Sequence, residues 1–178
     1  QTIVALCAGG ASVSTVVLPV AKRVHHGVSI HNLPLLTGRV SHSGGPEMSD
    51  VFVSYSNLDR AAVRPFVNIL RELRIDTFFD VDRIEPGENW SRAIQSALAN
   101  CRCVIVCWTP NSVVSPEVIE EALQAKQRGI FVPIMLTQCA LPYGFASTSS
   151  RDLRGWSGKL DQPEWLSVLG DIGRHLSR

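Results

Sequence analysis

Val51-Phe52-Val53-Ser54-Tyr55 is dense in β-branched and aromatic residues and reads as a strand. Beyond it, Val63, Phe66, Val67, Leu70 and Leu73 recur at helical spacing, while Arg64, Asn68, Arg71, Glu72 and Arg74 occupy the opposite face. Pro65 is expected in the first turn of this helix, where its missing N–H costs little. A strand feeding an amphipathic helix is half of a βαβ unit, and repetition of that unit specifies a parallel sheet.

The repetition continues. Thr77-Phe78-Phe79 is a short second strand, followed by a loop over 81–89 that Pro86-Gly87 turns. A helix with Ile94, Ala97 and Leu98 inward leads to Cys103-Val104-Ile105-Val106-Cys107, whose unbroken apolarity suits a strand covered on both faces. Ser115-Pro116 opens the next helix, with Ser as cap and Pro first, so that Val118, Ala122 and Ala125 face the core. Phe131-Val132-Pro133-Ile134-Met135 is a fourth strand, placed near a sheet edge or ending at Pro133 because proline cannot donate to a ladder. Arg151-Asp152-Leu153 supplies at most a very short fifth strand. Asp161 can cap a last helix with Trp165, Leu169, Ile172 and Leu176 buried.

Upstream the chain changes character. No acidic residue precedes Glu47, and Ser, Gly, Val and His dominate, so residues 1–47 read as a poorly ordered extension and 48–178 as the domain. Met48 is a natural start for that domain. Residues 2–21 carry no charge and are followed by Lys22-Arg23, the outline of a weak membrane span, but Gly9, Gly10, Ser12, Ser14, Thr15 and Pro19 dilute its hydrophobicity. The extension is the favoured reading. His25, His26, His31 and His42 lack acidic partners and fixed spacing, so they read as a biased tail and not as a metal site.

Composition narrows the chemistry. Seventeen Lys and Arg against sixteen Asp and Glu leave a net charge of +1, which asks for neither nucleic acid nor an acidic membrane. The five cysteines form no CxxC pair and read as buried thiols of a reducing compartment, the cytoplasm. Between Met48 and Arg174 there is no histidine, so a Ser-His-Asp or Cys-His site inside the domain is excluded, and His175 reads as a surface residue. Neither GxGxxG nor GxxxxGK[ST] occurs. Catalysis, if any, therefore rests on carboxylates.

In a parallel α/β sheet, ligands bind outside the carboxyl ends of the strands. That edge is built here by 54–57, 80–90 and 109–115, and the helix opened by Ser115 delivers its first turns to it. Glu117 and Glu121, four apart, share one face of that helix. From the residues alone, a solvated acidic face with Glu120 beside it remains a full alternative to a site.

The ordered set of motifs resembles the Toll/interleukin receptor (TIR) domain family, and the match runs over Asp50–Arg178. Asp50-Val51-Phe52-Val53-Ser54-Tyr55-Ser56 is similar to the family's first box, and Phe79-Asp80-Val81-Asp82-Arg83-Ile84-Glu85-Pro86-Gly87-Glu88 to its BB loop. Trp108-Thr109-Pro110-Asn111-Ser112, Ser115-Pro116 and Asp152-Leu153-Arg154-Gly155-Trp156 are similar to runs common in bacterial-type members. The resemblance implies a flavodoxin-like fold with a central parallel sheet of four to five strands and helices on both faces.

It also implies one of two activities. Some TIR domains, among them bacterial immune effectors and plant receptors, cleave the nicotinamide–ribose bond of NAD and depend on a glutamate in the helix after the third strand. Glu121 stands at the matching place, followed by Ala122 as in many bacterial relatives. By the same resemblance Tyr55, Phe79 and Trp90 would flank a ring of NAD. Ser54, Asp80 and Arg83 would meet ribose or phosphate, and Ser115 and Glu117 would border them. Glu117 replaces the Trp that many relatives carry there. Other members are adaptors that act by self-association alone. The expected partners are thus NAD, as substrate, and other TIR domains, with no separate cofactor and no metal.

Overall fold

In a computed structural model of the chain, residues 49–79 and 90–178 are described, with the backbone alone at Trp90 and Ser91. The extension 1–47, its weak span 2–21, Met48 and the loop bearing Asp80 and Arg83 lie outside the described residues.

Five parallel strands, β1 (Val51–Ser54), β2 (Thr77–Phe78), β3 (Cys103–Trp108), β4 (Phe131–Met135) and β5 (Arg151–Asp152), form one sheet in the order β2-β1-β3-β4-β5. The helices are α1 (Arg60–Glu72), α2 (Trp90–Asn100), α3 (Pro116–Gln127) and α4 (Pro163–Leu176). Alternation along the strands sorts the core into two layers. Val51, Val53, Cys103, Ile105 and Cys107 pack with residues of α1 and α4. Phe52, Val104, Val106 and Trp108 pack with residues of α2 and α3. β3 is buried along its whole length, as its apolar run requires.

Several local expectations need correction. Pro65 lies in the second turn of α1, because the helix starts at Arg60. The proline nitrogen withdraws the bond that the Ala61 carbonyl would accept, and Ala61 and Pro65 are both exposed, so water can serve that oxygen. Pro133 is interior to β4. The Met135 carbonyl accepts from Leu153 N and Leu136 N donates to Trp108 O, so alternate positions from Pro133 face the β5 side. On that side β5 first pairs at Ile134, and no ladder bond is lost. Gln162, not Asp161, caps α4, with Pro163 as its first residue. The Gln162 amide oxygen accepts from Ser157 instead, at 3.3 Å. His175 is half-buried rather than exposed, and burial lowers its pKa.

α1 and α3 end in the same motif. Ile75 N donates to Leu70 O and Arg74 N to Arg71 O, as Ile130 N does to Ala125 O and Gly129 N to Lys126 O. The left-handed position is Gly129 in one case (φ 67°) and Arg74 in the other (φ 63°). Elsewhere, Phe145 rises from the long β4–β5 connection into the α2–α3 layer, fully buried against Trp108 at 5.2 Å and Phe131 at 5.6 Å. Arg151 grips Asp171 with two hydrogen bonds, of 2.7 and 3.0 Å, fixing the short β5 to α4.

Candidate active site

The strand order reverses between β1 and β3: the chain leaves β1 for β2 on one side and β3 for β4 on the other. Crevices of α/β sheets open at such a reversal. Here a cleft of about 330 Å³ opens at the carboxyl end of β1. Its described walls are Phe52 and Val53 of β1, Tyr55, Ser56 and Asn57 from the strand exit, Phe78 of β2 and Phe79 just after it, Ile94 from α2, and Ser115, Glu117, Val118 and Glu121 from the start of α3. The volume is near the lower end of ligand sites, roughly 300–1,000 Å³.

Local sequence explains how α3 reaches the cleft. Ser115 caps the helix and accepts from Val118 N at 3.4 Å, and Pro116 takes the first position. The connection from β3 to α3 is fastened to the β1 exit through Asp59. Its carboxylate accepts from Thr109 Oγ1 at 2.6 Å and from Asn111 Nδ2 at 2.8 Å. Ser112 and Thr109 lock the same turn through reciprocal backbone-to-hydroxyl bonds of 2.8 and 3.0 Å. The strand exit and the helix entrance are thus tied together.

The two carboxyl groups on the α3 face differ sharply. Glu117 is exposed, and bonds from its own backbone N–H and from the Ser115 hydroxyl, 2.8 Å away, hold its pKa below the usual range. Glu121 is pushed up to about 7: burial is the largest cause, the charges of Glu117 and Glu120 add to it, and the Ser54 hydroxyl opposes it. Ser54 is 1% exposed, and its Oγ, near enough to favour the carboxylate, meets no acceptor at full hydrogen-bond geometry among the described residues. A carboxyl group with a pKa near neutrality in a cleft is able to act as anion or acid.

The structure brings Tyr55, Phe79, Ser115, Glu117 and Glu121 to one cleft. The Tyr55 and Phe79 rings stack, with centroids 4.7 Å apart and planes 27° from parallel. Ser54 stands behind the wall, not in it. Trp90 starts α2, but its side chain lies outside the described residues, as do Asp80 and Arg83. Phe78, Ile94, Val118 and the Asp59 clasp were missed by the sequence reading. Ile94 had a signal, since its helix stripe had to meet the sheet beside β1; the clasp joins residues about fifty apart and had none. Among the described residues no cluster of three His, Cys, Asp or Glu could hold a metal ion.

A five-stranded parallel sheet between two helical layers, with a carboxylate cleft at its reversal point, defines a flavodoxin-like α/β domain. Residues 51–165 match the TIR domain, and the chain belongs to the TIR domain family. It is similar in structure to the TIR domain of the Toll-related receptor TRR-2 from Hydra magnipapillata, at 24% identity and a TM-score of 0.60, over 70% of this chain and 98% of that one. It is also similar to a metazoan TIR-STING receptor from C. gigas solved with 2',3'-cGAMP, at 21% identity and a TM-score of 0.57, over 79% of this chain and 43% of that one. At these identities the likeness is one of fold. No curated protein matches the chain. No helix among the described residues is long and apolar enough to cross a membrane.

Proposed function

We propose that this TIR domain is a signalling or immune effector that hydrolyses NAD at the nicotinamide–ribose bond when copies of it associate. The observation that carries this reading is the Glu121 carboxyl group, desolvated inside a cleft whose wall is the Tyr55–Phe79 stack. Nicotinamide leaves as a neutral molecule, so no acid is needed to expel it, and the lack of a histidine among the described cleft residues is no obstacle. Departure leaves an oxocarbenium-like ribose. An anion held beside it, in a setting poor in water, stabilises that charge or holds the sugar hydroxyls. Water then adds to the sugar carbon and releases a proton. Tyr55, half-buried, offers a ring face to the leaving group, and Phe79, buried in the core, backs it. The runs Trp108–Ser112 and Asp152–Trp156 support a member of bacterial type, and buried free thiols at Cys101, Cys103 and Cys107 support work in the cytoplasm.

One observation favours a second reading, a non-enzymatic adaptor acting by TIR–TIR contact. Glu117, ionised and exposed, lines the cleft where many relatives carry Trp, and an added negative charge repels a dinucleotide's phosphates. The two are separated by incubating the concentrated protein with NAD beside Glu121→Ala. Nicotinamide release by the parent and not by the variant is expected. Equal release from both overturns the role of Glu121, and no release when copies are forced together supports the adaptor.

A further inference from the structure

Ser54 occupies the last position of β1, where the chain turns from buried strand to cleft wall. Phe52, Val53 and Tyr55 line the cleft; Ser54 does not. Two positions earlier, Phe52 packs in the α2–α3 layer, so strand alternation sends the Ser54 side chain to that same side, toward α3. There its hydroxyl is 1% exposed and its oxygen has no partner at full hydrogen-bond geometry among the described residues. A buried hydroxyl without a partner costs stability, which calls for a physical reason. The carboxyl group it faces is Glu121.

We propose that Ser54 is a positioning residue: its hydroxyl donates to the ionised Glu121 carboxylate and holds it toward the cleft. This rests on the carboxylate role given to Glu121 above. When Glu121 is protonated, it offers the hydroxyl only a neutral acceptor. When Glu121 ionises, the O–H becomes a charge-assisted donor, roughly twice as strong as a neutral one. Ser54 reaches substrate only through Glu121, so ribose or phosphate contact is not its part.

The other groups around Glu121 do not supply this function. Glu117 and Glu120 on α3 are acidic and disfavour its ionisation. Tyr55, at the strand exit, directs its hydroxyl to the Phe79 carbonyl. Ile94 of α2, Phe78 of β2 and Phe79 just after it line the cleft with apolar side chains. Of the side chains that act on the ionisation of Glu121, the Ser54 hydroxyl is the one that favours the carboxylate.

The test is a carbon-13 carboxyl titration of Glu121 in the full 178-residue chain, without substrate, for the parent, Ser54→Ala and Ser54→Thr. Loss of the hydroxyl is expected to raise the titration midpoint by roughly half to one pH unit, and threonine to restore it. An unchanged midpoint in Ser54→Ala overturns the proposal, above all if thermal stability rises equally at every pH, as removal of an idle hydroxyl would do. Should Ser54→Ala fold poorly, Ser54→Cys, a weak donor of similar size, is expected to move the midpoint the same way, and an unmoved one overturns the idea as well. The outcome is separable from the reaction: a shifted midpoint with no nicotinamide release keeps Ser54 and removes NAD, and the converse removes Ser54 alone.

Discussion

Tyr55 and Phe79 are joined twice: the Tyr55 hydroxyl donates to the Phe79 carbonyl oxygen at 3.2 Å, and their rings stack. The exits of β1 and β2 are thereby held as one wall of the cleft. Tyr55→Phe keeps the stack and loses the bond, at a cost of about 0.5–1.5 kcal/mol read from the urea midpoint. Tyr55→Ala loses both, and in the NAD reading it raises KM more than Tyr55→Phe does.

Glu121→Gln should reveal the strain of a buried carboxylate. Below pH 4.5 the group is protonated in the folded and unfolded chain alike, so parent and variant are equally stable. Between 4.5 and about 7 the unfolded chain loses its proton first, which favours unfolding of the parent. Above pH 7 the variant is expected to be more stable by roughly 1–3 kcal/mol and, in the NAD reading, to release no nicotinamide. Thermal unfolding at pH 4 and pH 8 checks this, and equal differences at both would contradict it.

Glu117→Gln removes a negative charge that disfavours ionisation of Glu121. The Glu121 midpoint should fall by roughly 0.2–0.4 pH unit. If NAD is the substrate, KM falls too and the rising limb of the pH profile moves to lower pH. A movement upward would mean that Glu117 acts other than through its charge.

Asp59→Ala should loosen the site without touching the cleft. It leaves Thr109 and Asn111 without their shared acceptor, at a cost of about 2 kcal/mol. Hydrogen exchange should quicken selectively over residues 109–115. Uniform quickening across the sheet would instead indicate global destabilisation.

Arg74→Gly should stabilise the domain. Arg74 holds a left-handed backbone at the end of α1, the position that Gly129 fills in α3. Relief of that strain, less the added freedom of glycine when unfolded, is expected to bring about 0.5–1 kcal/mol, and Gly129→Ala to cost about 1 kcal/mol.

Much of the fold was legible because its signals are local and repeated. The apolar run 103–107 announced a central strand, and Ser115-Pro116 placed the start of α3 to the residue. That start put Glu121 one turn inside the helix, on the cleft edge, before any coordinates. What escaped reading depends on distance or competition. Asp59 could have served as a local cap but binds Thr109 and Asn111 instead. The side chain of Gln162 was drawn to Ser157. Phe145 sits in a stretch without periodicity, and its burial comes from the ring space between Trp108 and Phe131. The unequal ionisation of Glu117 and Glu121 arises from depth in the fold, which spacing along a helix does not encode.

The outer strands β2 and β5 have two residues each. A rim that short gives an incoming chain almost no row of free amides to zip onto, so growth of the sheet from copy to copy lacks a template. Copies that meet must do so through side chains on helices and loops. Such contacts can be made and undone as concentration changes, whereas a seam of backbone hydrogen bonds would lock the copies into fibres.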